Sequence, residues 1–200
     1  MEHMVVPASL LLQTAEPTYS MCLLPEVFKR EKMIEGLALV RSLAIFHSDV
    51  LLERLHDLSV ALIQEVKNLR SSVSRAAIDC LGDMFMHLKK NMDNELDNCA
   101  RVLLSKAGES NLFMREDVDK ALDAMAQNVT PVRALTSLIN GGLSHLNTAV
   151  KKCTAQHMCD LVERTGPWRN LSGKQDITDK TLPAIITFAE DNSQETRFYG

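Results

Sequence analysis

The sequence predicts an all-α fold, an α-solenoid of antiparallel helix pairs, and three observations predict it. A pattern of polar, polar or small, Val, polar, basic, small recurs at Ser71-Ser72-Val73-Ser74-Arg75-Ala76, Glu116-Asp117-Val118-Asp119-Lys120-Ala121 and Thr148-Ala149-Val150-Lys151-Lys152-Cys153. The Val positions lie 45 and then 32 residues apart, with weaker matches at Met33-Ile34-Glu35-Gly36 and Gln194-Glu195-Thr196-Arg197. A period of about 40 residues belongs to HEAT or armadillo helical arrays. Composition is the second observation: the 200 residues are 46% hydrophobic but only 4% aromatic, with 10 Met, so the core is aliphatic. The third is that apolar residues keep helical spacing between sparse breaks of Gly and Pro.

Residues 1–27 contain Pro7, Pro17 and Pro25 and no sustained period, and read as a leader. Residues 28–200 read as one domain. A first helix runs from about Phe28 to Phe46, with Met33, Leu37, Val40 and Ala44 on one face. Ser48-Asp49 is a good N-cap for a second, to about Lys67, with Leu51, Leu55, Leu58, Leu62 and Val66 in a stripe. A third starts at Ser71 or Ser72 and buries Val73, Ala77, Leu81, Met84 and Leu88, and a fourth runs from about Asp93 to Lys106. Gly108 stops it. A fifth holds Met114, Val118, Ala121, Leu122 and Met125. Thr130 and Pro131 suit the N-cap and first position of a sixth, which Gly141-Gly142 ends. A seventh, about Leu146 to Arg164, stacks Val150, Cys153, His157 and Leu161. After a loop with Trp168, an eighth passes through Ile177, Leu182, Ile185, Ile186 and Phe188, and Asp191-Asn192-Ser193 caps a ninth.

Antiparallel helices turn at alternating edges, so the loops that open the odd-numbered helices share one edge. These are about 28–32, 68–72, 110–116, 144–149 and 191–195. They and the first turns after them carry Lys29, Arg30, Lys32, Lys67, Arg70, Arg75, Arg115, Lys120, Lys151, Lys152 and Arg197, although net charge is −4. Cations at helix N-termini oppose the macrodipole, so this placement favours an acidic partner. The structural alternative is that Arg75, Lys120 and Lys152, each two residues after a repeat Val, pair with acids on the neighbouring repeat.

Other chemistry finds little support. Cys153 and His157 have the i, i+4 spacing of a metal pair, with Cys159 nearby, but no second ligand cluster accompanies them in sequence, so no metal is expected. No nucleophile sits in an elbow or triad order, and Gly141-Gly142 lacks the following Lys of a phosphate loop. Neither an enzyme nor a cofactor is expected. An acidic, aromatic-poor chain is a poor nucleic-acid binder. The apolar run Leu10 to Leu12 is far too short for a membrane span, and five Cys without CxxC spacing read as reduced thiols of a cytosolic compartment.

Three stretches carry a family resemblance. Asn68-Leu-Arg-Ser-Ser-Val-Ser-Arg-Ala-Ala, Arg115-Glu-Asp-Val-Asp-Lys-Ala-Leu and Ser193-Gln-Glu-Thr-Arg-Phe-Tyr-Gly resemble the TOG domains of the TOG array regulators of axonemal microtubules, or crescerins, the carboxy-terminal one above all. More distantly they are similar to the CLASP proteins. The resemblance covers residues 28–200. It implies a HEAT-repeat paddle that binds tubulin or microtubules through loops along one edge, in the cytoplasmic cytoskeleton and the ciliary axoneme. Carried over by position, the tubulin-facing residues are Arg30 and Lys32 in the first loop, Asn68, Arg70 and Ser71 in the second, Asn111 and Arg115 in the third, Asn147 and Lys151 in the fourth, and Arg197 near the fifth. Two departures follow. Arg30-Glu-Lys-Met-Ile-Glu-Gly-Leu37 stands where the tubulin-binding pattern opens on Trp, the commonest kind of interface anchor, which leaves room for a scaffold that binds a different protein. The family domain also runs past the position of Gly200, so the last repeat is expected to be truncated, with an apolar face on the eighth helix covered by self-association or by residues 1–27.

Overall fold

A computed structural model describes residues 30–165 and 175–200, with side chains from 32 to 165 and from 180 on. Among these residues the chain is helical without a strand, the expected all-α solenoid. The elements are α1 (Arg30–Phe46), α2 (Ser48–Leu52), α3 (Leu55–Val66), α4 (Ser71–Leu88), a 3-10 turn (Lys89–Asn94), α5 (Leu96–Ala107), α6 (Leu112–Asn128), α7 (Pro131–Gly142), α8 (Thr148–Thr165), α9 (Gln175–Ala189) and α10 (Gln194–Arg197). They stack in two layers. In one, α4 packs on α1, α6 on α4, α8 on α6 and α10 on α8; in the other, α5 packs on α3, α7 on α5 and α9 on α7.

The apolar stripes read from the sequence for the third and fifth helices are buried in the core. Val73, Val118 and Val150, the repeat markers, are all buried, as are Ala77, Leu81, Met84 and Leu88 of α4 and Met114, Ala121, Leu122 and Met125 of α6. Small residues set the closest approach of α7 and α8. A Cβ on Gly142 would stand 1.8 Å from Thr154 Oγ1, so only glycine fits where α7 ends against α8.

Two predicted helices are subdivided. The expected second helix breaks after Leu52, where Arg54 leaves helical geometry (φ −126°, ψ 25°) and bridges to Asp57. Its apolar spacing runs unbroken, so the break is tertiary: α2 buries Leu51 beside α1, while α3 turns to pack on α4 and α5. The expected fourth helix begins as the 3-10 turn, entered through Lys89 at φ 52°. Asp93, expected inside the helix, instead accepts hydrogen bonds from the Thr130 backbone N–H and hydroxyl at the start of α7. Thr130 is the N-cap and Pro131 the first residue of α7, as expected.

At the far end, Ala184 and Phe188 of α9 are buried while Leu182 and Ile186 are exposed. The expected cover by residues 1–27, and Trp168 in its loop, lie outside the described residues. Among the described residues no helix is long and apolar enough to cross a membrane. Cys80, Cys99, Cys153 and Cys159 are free thiols.

Candidate functional site

The loops that open α4, α6, α8 and α10 share one construction. A helix start leaves backbone N–H groups without partners, and an Asn or Asp just before it can accept from the residue two positions on. Asn68 Oδ1 accepts from the Arg70 N–H at 3.0 Å, Asn111 from Phe113 at 3.0 Å, Asn147 from Ala149 at 2.8 Å and Asp191 from Ser193 at 2.9 Å. The fold thus repeats one turn four times.

That turn throws its apolar neighbour outward. Leu69 is 102% exposed and Leu146 98%, and Leu112 and Phe113 are exposed beside Asn111. Leu69 and Leu146, held in water at their loop tips, pack against almost nothing, and exposed apolar side chains grouped on a surface are the ordinary mark of a contact site.

Neighbouring turns are linked through side chains. Ser74 Oγ donates to the Val66 carbonyl at 2.6 Å and lies 3.7 Å from Met114 Sδ, which ties the start of α4 to the start of α6. Asn147 Nδ2 donates to the Gly108 carbonyl at 3.4 Å, which links the loops before α6 and α8. Lys151 Nζ donates to Asp191 at 2.7 Å and joins α8 to the loop before α10. Arg75 lies over the Phe113 ring at 5.5 Å from its centroid, a cation–π arrangement between α4 and α6.

The sequence-derived residues divide into two groups. Lys32, Arg70 and Ser71 are exposed and Arg115 is half-buried; among the described residues Lys32, Arg70 and Arg115 form no ion pair. These cations are available to a partner. Arg30 opens α1, but its side chain lies outside the described residues. The remainder are engaged within the fold. Asn68, Asn111 and Asn147 hold their turns, and Asn68 also donates to Glu65 at 2.9 Å. Lys151 is bound to Asp191, and Arg197 donates to the carbonyls of Asp191 and Asn192. Asp191 is held below the usual carboxylate range first by the Lys151 ammonium and then by the Ser193 N–H.

The basic residues two positions after each Val follow the structural alternative in two cases of three. Arg75 pairs with Asp117 of the next repeat and Lys152 with Glu195, each pushed up chiefly by the hydrogen bond to its acid, whereas Lys120 lies 3.8 Å from Asp117 on its own helix. Reading the loops by charge alone passes over the exposed Leu69, Leu112, Phe113 and Leu146. Their signal in the sequence is a Leu beside an Asn in three of the four loops, Asn68-Leu69, Asn111-Leu112 and Leu146-Asn147, with Asp191-Asn192-Ser193 lacking the Leu.

Comparison with known proteins gives consistent matches. The CLASP N-terminal family matches residues 31–199. Over 170 residues, 85% of this chain, the sequence is 64% identical to the TOG array regulator of axonemal microtubules protein 1 of Mus musculus, covering 10% of it. The Homo sapiens protein of the same name is 65% identical over 112 residues, 56% of this chain and 6% of its own length. The Crescerin-like protein che-12 of Caenorhabditis elegans is 30% identical over 165 residues, 82% of this chain and 13% of its own. The chain therefore spans about a tenth of the length of these curated relatives. A solved structure from a study of "TOG-tubulin binding specificity" that "promotes microtubule dynamics and mitotic spindle formation" matches with a TM-score of 0.62 at 15% identity, over 99% of this chain and 89% of that one. At that identity the match speaks to the fold.

Proposed function

This chain belongs to the CLASP N-terminal family, and from that premise we propose that it is a tubulin- or microtubule-binding module whose contact surface is the edge formed by the loops opening α1, α4, α6, α8 and α10. The observation that carries the proposal is the pairing of exposed apolar tips with unpaired cations on consecutive loops: Leu69 with Arg70, then Leu112 and Phe113 with Arg115. Leu146 extends the row. An acidic protein surface with apolar recesses is the complement of such an edge.

Within it, Lys32, Arg70, Ser71 and Arg115 are the direct contacts. Asn68, Asn111, Asn147, Lys151 and Arg197 act by holding the loops in shape, and Arg30 occupies the position of the anchoring aromatic in the first loop. Residues 28–200 belong to this module. The names of the relatives support a setting in the axonemal microtubules of cilia. Arg30 in place of Trp favours a second reading, a scaffold for a different protein partner.

Co-sedimentation with microtubules, beside gel filtration with free tubulin, separates these readings. Arg70→Glu with Arg115→Glu should weaken binding at least tenfold at low salt, with helical content and melting unchanged, because each substitution adds repulsion as well as removing attraction. A doubly reversed protein that pellets like its parent would move the site off this edge and favour the scaffold.

A further inference from the structure

Away from the loop tips, in the seam between α6 and α8, three donors of different chemistry converge. Asp119 lies on α6, and Cys153 and His157 lie one turn apart on α8. Cys153 Sγ is 3.6 Å from Asp119 Oδ1, and His157 Nε2 is 3.5 Å from the same oxygen. All three donor atoms lie within 4.8 Å of one another. A tetrahedral Zn²⁺ with its usual bond lengths to S, N and O keeps ligand atoms roughly 3.3 to 3.5 Å apart. The two distances to Asp119 are close to those of ligands that share one ion, and the third is within 4.8 Å.

The surroundings fit the same ion. The other nitrogen of the buried imidazole, Nδ1, lies 3.4 Å from Asp123 Oδ1, one turn further along α6, and makes no hydrogen bond of good geometry. A carboxylate on the outer nitrogen is what orients a zinc-bound histidine. Cys153 and His157 are buried, whereas the Asp119 side chain is about half exposed at 51%. Asp119 and Cys153 also line a cleft with Arg115, Lys152 and Gln156, so two of the three donors border space that water can enter. Asp123, His157 and Asp160 also come together on the Nδ1 side, but that grouping lacks sulfur.

We propose that Asp119, Cys153 and His157 form a Zn²⁺ site, with Asp123 hydrogen-bonded to His157 Nδ1 and water as the fourth ligand. Thiolate, imidazole and carboxylate together select zinc over magnesium or calcium, which take oxygen donors. Thiolate and carboxylate also balance the two charges of the ion. Zinc binding releases the protons of Cys153 and His157, and the ion takes over the link between α6 and α8 that the imidazole otherwise makes to Asp119 and Asp123.

The test uses the untagged, reduced 200-residue chain with Zn²⁺ in competition with a chromogenic chelator, and Co²⁺ as a spectroscopic probe. We expect one Zn²⁺ per chain, a thiolate-to-cobalt charge-transfer band, and a higher Tm with zinc. Cys153→Ser should abolish the band and weaken binding at least tenfold, Asp123→Asn should weaken it about 10- to 100-fold, and Cys159→Ser should change neither. Asp119→Asn, at a half-exposed position, provides a folded variant in case Cys153→Ser unfolds, and should also weaken binding at least tenfold. Substoichiometric zinc, a band that survives Cys153→Ser, or one lost in Cys159→Ser would overturn the proposal. A Tm indifferent to zinc would do the same and leave His157 as the centre of an ion triad between Asp119 and Asp123.

Discussion

Arg75 on α4 donates through Nε to Asp117 on α6, 42 residues later, at 2.5 Å, and Arg41 on α1 makes the same bond to Asp83 on α4 across the same separation. The repeat thus includes a basic-to-acidic link from α1 to α4 and from α4 to α6, and Lys151 to Asp191 and Lys152 to Glu195 make it again from α8, whereas Lys120 of α6 lies nearest an acid on its own helix. Asp117 is buried while Arg75 is partly exposed, so the two partners are not equivalent.

Removing Arg75 leaves a nearly buried carboxylate with only Lys120, 3.8 Å away, near it. Arg75→Gln should cost about 1–3 kcal/mol in urea unfolding, the penalty of an unsatisfied buried charged group. Combining it with Asp117→Asn should cost less than the sum of the single changes, because the orphaned charge disappears. Single effects near zero would mean that the pair behaves as an ordinary surface bridge.

Asp191 gives a pH signature. Its carboxyl is held below the usual range by Lys151 first and by the Ser193 N–H next. A carboxyl with a depressed folded pKa stabilises fully above its unfolded value of about 3.9, and that stabilisation is lost as pH falls through the folded value. Asp191→Asn should therefore lower Tm at pH 7, and the gap to the parent should close as the solution is acidified below about pH 4. A gap that stays constant down to pH 3 would assign the effect to the turn rather than to charge.

Much of this fold was legible in the sequence because the repeat marker is a packing feature. Val73, Val118 and Val150 are buried at the same register, and a helical stripe needs only local spacing to be read. What was not legible depends on contacts between distant residues. The break at Glu53–Arg54 follows from how α2 and α3 pack on different neighbours, and Asp119 joins Cys153 and His157 from 34 and 38 residues away on another helix. In the helix-opening loops, charge was visible but its use was not: Lys151 and Arg197 are basic yet bond within the fold, a distinction set by where Asp191 lies.

Gly142 and Thr154 test the packing of α7 on α8. Gly142→Ala would set a methyl 1.8 Å from Thr154 Oγ1 and 2.7 Å from its Cβ and Cγ2. Overpacking of this kind typically costs about 1–3 kcal/mol. Thr154→Ala in the same chain should recover part of the loss by removing the hydroxyl and the methyl, but not all, since the Cβ remains. A double-mutant cycle in urea checks the coupling, and additive effects would mean that the helices slide apart without strain.

The apolar loop tips distinguish the proposed contact surface from a row of solvated cations. Leu69 and Leu146 are essentially fully exposed, so replacing both by Ser removes little packing from the free protein, and its Tm should move by no more than a degree or two. If the edge binds tubulin with these tips in apolar recesses, the double change should still weaken co-sedimentation with microtubules, by about 2 kcal/mol or roughly thirtyfold if the pair acts as an interface anchor. Salt separates this loss from the charge effect. Exposed charges are screened over about 10 Å at 0.1 M salt, so the deficit of the Arg70→Glu, Arg115→Glu protein should shrink as salt rises, whereas the Leu69→Ser, Leu146→Ser deficit should persist. Equal binding by the Ser variant and its parent at every salt concentration would show that Leu69 and Leu146 face away from the partner, leaving recognition to Lys32, Arg70, Ser71 and Arg115 and to Leu112 and Phe113 of the next loop.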